Sequence, residues 1–300
     1  MVQIDINVVI RSVGERTVNI LKESVLRQQI TDADIKIIQV FPFESALREM
    51  MNLSLASQKK WTIALDGDTV IFDNAISKLV DAINKLPRSA FTLQGNLYDK
   101  IFGEFRPVGH RIYRTEYFQK ALQLIPNSGE FMRPETTMIE RMTSLGYGHF
   151  VHNKVHGLHG YEQYYRDIYR TSFTHGIKHA TKGAKILHSS LKKINFDSDY
   201  SIVIRGLVDG MITTKGVNLD ASTYSEISYK LLAQLGLKEK DAVEELFIEK
   251  VLDNLEFQYR KILKENPIFP SNRFGYVAGN IYKYGVVDGL LRNFLDWRRM

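Results

Sequence analysis

Cysteine is absent from the 300 residues, which excludes disulfides, thiolate nucleophiles, zinc ribbons and iron–sulfur clusters and leaves any metal to oxygen or imidazole ligands. Hard, oxygen-seeking cations are the first expectation. No stretch approaches the roughly 18 apolar residues of a membrane-spanning helix. Met1-Val2-Gln3-Ile4-Asp5 also lacks the basic flank and apolar run of a signal peptide, so a cytosolic, bacterial-style protein is expected. The seven prolines are too few to mark a linker, and there is no internal repeat or low-complexity tract. No P-loop, dinucleotide fingerprint or nucleophile elbow occurs. With 44% hydrophobic and 25% charged residues, what remains is a globular composition, sufficient for one large domain or two ordinary ones.

The charge is local. Lysine and arginine exceed aspartate and glutamate by 40 − 34 = 6, and residues 151–193 alone hold eight basic and two acidic residues, which accounts for the whole excess. The same segment contains six of the eight histidines: His152, His156, His159, His175, His179 and His188. It suits a phosphorylated small molecule, an anionic membrane surface or a nucleic acid, or it is simply a solvated helix face.

Apolar periodicity predicts alternating elements. Residues 6–10 read as a buried strand that ends at Arg11-Ser12-Val13-Gly14. Val18, Leu21 and Val25 follow at helical spacing, then Ile35 to Val40 as a second strand, which implies a parallel pair with a right-handed crossover. A helix at about 45–57 precedes a strand at Trp61 to Leu65. Ile76, Leu79, Val80 and Ile83 fall on one helical face, and Ala90 to Leu93 restores strand character. Short strand-like pieces at Val108 to Tyr113, a helix near Thr115 and another carrying Met138, Ile139 and Met142 come next, with Gly146 as its stop. From about Ser201 the pattern is mainly helical, most regularly from Glu244 to Leu255. We place a boundary near 195, dividing an α/β body (1–195) from a helical C-terminal extension (196–300). The last segment, Tyr282 to Met300, mixes Leu290, Leu291, Phe294, Leu295 and Trp297 with arginines, the pattern of a docking helix or of one lying at a membrane surface.

The chemistry concentrates at Asp66-Gly67-Asp68, which follows a buried strand. In open α/β sheets ligands bind at the carboxyl ends of strands. Glycine lets the backbone turn tightly, so both carboxylates can converge on Mg2+ or Mn2+, and such an ion neutralises phosphate oxygens. Glu135 opens a helix, where the dipole favours its charge; a carboxylate there suits removal of a proton from an attacking hydroxyl. Gly109-His110-Arg111 and Tyr113-Arg114 lie between the two, either as acceptor contacts or as exposed strand residues.

The strand followed by Asp66-Gly67-Asp68, together with Pro134-Glu135 six residues before Arg141 and a closing Gly146-Tyr147, resembles the GT-A-fold glycosyltransferases over about residues 5–160. The likeness is greatest to the inverting, nucleotide-sugar-dependent enzymes called family two. That resemblance implies a Rossmann-like, mostly parallel sheet flanked by helices. It also implies donor contacts at Val9, Arg11 and Ser12, with Asp66 at the ribose, and metal ligation by Asp66 and Asp68 with His159 or His156. Glu135 would be the base, Lys154, Arg166 and Arg170 would meet the diphosphate, and His110 and Arg111 the acceptor. The sequence departs from the family at Pro134, which replaces the first acid of a pair. The expected function is transfer of a sugar, with inversion, from a nucleotide donor of the UDP type to a saccharide or lipid-linked acceptor in bacterial surface-polysaccharide synthesis. The cofactor would be Mn2+ or Mg2+, no nucleic acid would take part, and a homo-oligomer or weak membrane contact through the C-terminal helix is allowed.

Three other classes compete. Asp66-Gly67-Asp68-Thr69-Val70 also looks like the first motif of haloacid-dehalogenase phosphatases, although two strands precede it and no later paired-aspartate loop follows. A sugar nucleotidyltransferase would carry a richer version of Arg11 to Arg16. A non-enzymatic carbohydrate- or nucleic-acid-binding protein would use the basic segment and leave the carboxylates without a task.

Overall fold

β-Branched residues dominate the first strand, β1 (Ile6–Arg11), and all six of its positions are buried, as expected of a strand covered on both faces. Its neighbours are β2 (Ile35–Ile38) and β3 (Trp61–Asp66), both parallel to it. The computed structural model describes residues 5–178, 180–213 and 229–266. Within these the remaining strands are β4 (Thr69–Ile71), β5 (Ala90–Asp99), β6 (Glu104–Pro107), β7 (His110–Arg114) and β8 (Gly148–His159). The sheet order is β2-β1-β3-β7-β5-β8-β4, with β6 on β5. Strands β1, β2, β3, β5 and β8 run one way, while β4, β6 and β7 run the other. The fold is thus α/β, with a mostly parallel sheet.

Alternation along the strands divides the core into two layers. Ile6, Val8, Ile10, Ile63 and Leu65 meet α1 (Val18–Leu26) and α3 (Ala75–Asn84), whose Leu21, Ile76, Leu79 and Ile83 are buried. On the other face Val9, Ala64, Phe91 and Tyr113 meet α2 (Phe43–Ser57), α4 (Phe118–Leu122) and α5 (Pro134–Ser144) through Leu47, Phe118, Met138 and Met142. Each such aliphatic side chain contributes about 1.5–3 kcal/mol on burial. Pro134 sits in the first turn of α5, where its missing amide costs nothing. Gly146, at φ 91°, ends that segment in the left-handed region, and the Tyr147 amide donates back to the Met142 carbonyl at 3.0 Å.

The C-terminal part of the described chain is helical. Helices α6 (Tyr165–Lys178), α7 (Ala180–Leu191) and α8 (Asp199–Ile212) share a core of Ile168, Tyr169, Ile186, Val203 and Leu207. The position 195 boundary falls in the connection between α7 and α8. Helix α9 (Ile248–Glu265) buries Leu252, Leu255 and Tyr259 against Ile20, Val70 and Leu158. No described helix is long and apolar enough to cross a membrane, and the segment from Tyr282 to Met300 lies outside the described residues.

One connection positions the site. Only Gly67 and Asp68 separate β3 from β4, yet β4 pairs with β8 at the far side of the sheet order. The sheet therefore curls until the ends of β3 and β8 meet, and the Gly160 amide donates to the Asp68 carbonyl at 2.9 Å.

Candidate active site

At the carboxyl ends of β1 and β3, Arg11 and Asp66 are register partners. Arg11 is 5% exposed. Its Nε and Nη2 donate to Asp66 Oδ1 at 3.0 and 2.7 Å, and its Nη1 donates to Glu135 Oε1 at 2.6 Å. Strand β7 supplies the rest of the network: Tyr113 Oη donates to the same Glu135 oxygen at 2.7 Å, and Arg111 Nε lies 3.3 Å from Glu135 Oε2. Burial alone would raise the pKa of Glu135. The charges of Arg11 and Arg111, with the hydrogen bonds from Arg11 and Tyr113, outweigh burial and hold it at about 2.

A second network starts at Asp68. Its Oδ2 lies 3.3 Å from His159 Nε2, and the other ring nitrogen of His159 lies 3.0 Å from Asp99 Oδ2. Asp99, at the end of β5, also receives Arg106 at 2.7 Å and the Phe102 amide at 3.0 Å. Burial disfavours a charged imidazole, but Asp68 and Asp99 overcome it and raise His159 well above its ordinary range. Both ring nitrogens of His159 thus face a carboxylate, an arrangement that favours the protonated ring.

Beside it lies a small pocket bordered by Glu15, Asp68, Gln163, Asp167 and Arg170. Glu15 accepts from Ser12 Oγ at 2.7 Å and from the Val13 amide at 2.8 Å. Burial, reinforced by the charge of Asp68, raises Glu15 to about 7; burial likewise raises Asp167 to about 6, against the pull of Arg170 and Arg166. Asp68 Oδ1, Gln163 Oε1 and Asp167 Oδ2 are buried without a hydrogen-bond partner. Buried polar atoms are rarely left so. Among the described residues no group of three or more His, Asp or Glu side chains stands arranged as a metal cage. The donor chemistry nevertheless suits a hard cation, because Asp68, Gln163 and Asp167, each with an unpartnered buried oxygen, border one space together with Glu15.

The other residues singled out from the sequence fall in several places. Val9 is wholly buried beneath α2, and Ser12 shapes the β1 loop by donating to Glu15 and accepting from the Gly14 amide at 2.8 Å. Arg166 reaches that loop from the start of α6, donating to the Gly14 carbonyl at 2.9 Å. Arg170, on the same helix, lies 3.7 Å from Asp167 and 4.0 Å from Glu15. Lys154 is exposed on β8 and acts electrostatically on His152. His110 and Arg111 separate, because consecutive strand residues face opposite sides: Arg111 meets Glu135, while His110 enters the α3 layer beside His156. His156 is 1% exposed and pairs with His152 rather than with Asp68. Glu15, Asp99, Gln163 and Asp167 were not singled out. Of these, Asp167 had a visible signal in its i, i+3 spacing to Arg170. A wider groove of about 710 Å³ opens at the opposite end of β3, near Lys60 and Arg114, far from these carboxylates.

No protein-family model matches the sequence, and no curated protein matches it. Among solved structures, a mannosyltransferase from Pyrobaculum calidifontis in complex with GDP-Man and Mn2+ is similar at TM-score 0.40 and 8% identity, covering 97% of this chain and 87% of that one. A glycosyltransferase involved in glycosylation of the major capsid of PBCV-1 gives 0.35 and 11%, over 49% and 81%. A cytidylyltransferase from Leptospira borgpetersenii gives 0.38 and 10%, over 72% and 100%. The likeness is loose at these scores, so the chemistry of the chain has to be argued from its own side chains.

Proposed function

We propose that the chain is a divalent-metal-dependent transferase of sugars from nucleotide-sugar donors. The observation that carries this reading is the pairing, at the carboxyl ends of β1 and β3, of an oxygen-lined pocket around Asp68 with a separate ionised carboxylate, Glu135. Asp68, with Glu15, Asp167 and the free oxygen of Asp66, would hold Mn2+ or Mg2+, which when bound supplies charge stabilisation to a leaving diphosphate. Arg166 and Arg170 of α6, which reach the β1 loop and Glu15, would meet phosphate oxygens. His159 holds Asp68 in position from behind.

Glu135 is the candidate base for the acceptor hydroxyl. A base works best with a pKa near the operating pH, and Arg11, Arg111 and Tyr113 suppress its proton affinity. On this reading substrate binding draws one of these donors onto the substrate, which raises Glu135 towards a useful value. The finer expectations form part of the same proposal: inversion, a UDP-linked donor, and a saccharide or lipid-linked acceptor of surface-polysaccharide synthesis.

One observation favours a second reading, sugar nucleotidyl transfer. The nucleophile there is a phosphate, already an anion, and needs no base, which agrees with a clamped Glu135. Product analysis separates the two. Incubation with nucleotide sugars, Mn2+ and a panel of saccharide and lipid-linked acceptors should release nucleoside diphosphate as the sugar passes to an acceptor hydroxyl or to water, and incubation with nucleoside triphosphates plus sugar phosphates should release no pyrophosphate. The reverse outcome establishes the second reading, and no turnover of either set removes both.

A further inference from the structure

Three histidines gather on the α3 side of the sheet, away from Glu135. His110 on β7 and His156 on β8 are each 1% exposed, and His152 stands half-buried at the rim. The His110 and His156 ring centroids are 5.4 Å apart, those of His152 and His156 5.3 Å, and His152 Nδ1 lies 3.2 Å from His156 Nε2. A bulge makes this possible: Gln94 and Asn96 of β5 pair with Val151 and Val155 of β8, so β8 spends extra residues there and swings His152 towards His156. Opposite the bulge sits Gly95, where a Cβ would stand 2.7 Å from His156 Nε2 and 2.8 Å from His110 Nε2. A side chain at position 95 would thus collide with both rings, and only glycine lets them lie this close.

The chemistry of these nitrogens is specific. His110 Nδ1 lies 3.0 Å from the Val108 carbonyl, to which only an N–H can donate, so Nε2 carries the lone pair; that atom is buried and has no partner. A backbone carbonyl on the far nitrogen is the usual support of a metal-binding imidazole. Tetrahedral coordination at about 2.0–2.1 Å places ligand nitrogens about 3.3 Å apart and ring centroids about 5.2 Å apart, close to the spacings found here. Burial holds His110 at about 4 and His156 at about 2, which keeps both lone pairs available near neutrality. Lys78 of α3, Lys85 just beyond it and Lys154 of β8 act on the cluster. They oppose an ion held by charge alone and leave the advantage to one that bonds imidazole.

We infer that His110, His152 and His156 form a second metal site, for Zn2+ or a similar imidazole-seeking transition metal, separate from the oxygen-lined pocket. As they stand the three imidazoles do not converge on one point; His110 and His156 are the buried ligands, and the half-buried His152 turns to complete the site. Both β7 and β8 pair with β5, so the ion ties two of the neighbours of β5 together. The inference does not depend on which transferase reaction the chain performs.

Cobalt tests it, because tetrahedral Co2+ absorbs visible light far more strongly than hexahydrated Co2+. Chelator-treated full-length protein should develop that absorption to one equivalent and lose it on addition of Zn2+. His152→Ala, a change at the rim that leaves the buried rings in place, should weaken Co2+ binding about tenfold or more, whereas Asp68→Asn should leave the spectrum unchanged. The inference is overturned if wild-type protein shows no tetrahedral absorption, if His152→Ala binds Co2+ as tightly as wild type, or if Asp68→Asn is the variant that loses it.

Discussion

Glu135 receives Arg11, Arg111 and Tyr113 on one carboxylate, so Glu135→Gln leaves the buried Arg11 and the partly buried Arg111 short of a counter-charge. Removing one partner of such a pair costs about 3–5 kcal/mol, and if Glu135 is the base the same change lowers transfer about 10²-fold or more. The pH dependence follows from the shift. The folded pKa lies near 2 against an ordinary 4.5, so the contribution is complete above 4.5 and disappears as pH falls towards 2, amounting to about 3 kcal/mol. Urea denaturation should therefore show a stability gap between wild type and Glu135→Gln that is widest near neutrality and narrows below pH 4; a gap independent of pH would refute the ion-pair account. The sequence pointed to Asp66, Asp68, Glu135 and His159 because each sits in a local pattern: a paired acid, a helix start, a histidine beside glycine. It did not point to Asp99, and it marked Tyr113 only as an acceptor contact or an exposed strand residue, because the importance of both comes from partners 60 and 22 residues away along the chain, a separation no local pattern records.

Helix α6 carries Asp167 and Arg170 to the pocket, and its position is set by close contact with α8. A Cβ at Gly206 would stand 2.7 Å from the Tyr169 carbonyl, and one at Gly210 would press on the Phe173 carbonyl. Alanine favours an isolated helix over glycine by about 1 kcal/mol, but overpacking of about 1–3 kcal/mol opposes it here. Gly210→Ala should thus lower stability on urea denaturation and weaken donor binding together, since the helix that bears Arg170 must move; a more stable protein with unchanged binding would show that the crossing is loose. The helices and buried strands were legible as apolar periodicity, and α2, α3 and α5 fall close to the predicted places. Strand β8 was not, because its first part alternates irregularly around the bulge and is rich in His, Asn and Lys. The three-residue β4 was hidden in the turn that follows Asp66.

At the scale of the whole molecule, the curl of the sheet does what the sequence could not show. It brings the end of β8 to the Asp66-Gly67-Asp68 turn, so that the His159 expected near the metal lies 3.3 Å from Asp68, whereas His156, three positions earlier, lies with His110 in the other layer. The basic excess of residues 151–193 is partly consumed in that assembly: Arg166 and Arg170 turn to the β1 loop and the pocket. Asp68 is therefore the residue on which the proposed binding of a divalent ion together with a nucleotide depends. Calorimetric titration of a nucleoside diphosphate in the presence of Mn2+ into wild-type and Asp68→Ala protein tests this most directly. The account predicts Mn2+-dependent binding by wild type and its loss in Asp68→Ala, with the variant still folding cooperatively; binding by Asp68→Ala at wild-type affinity, or wild-type binding that is indifferent to Mn2+, would contradict it.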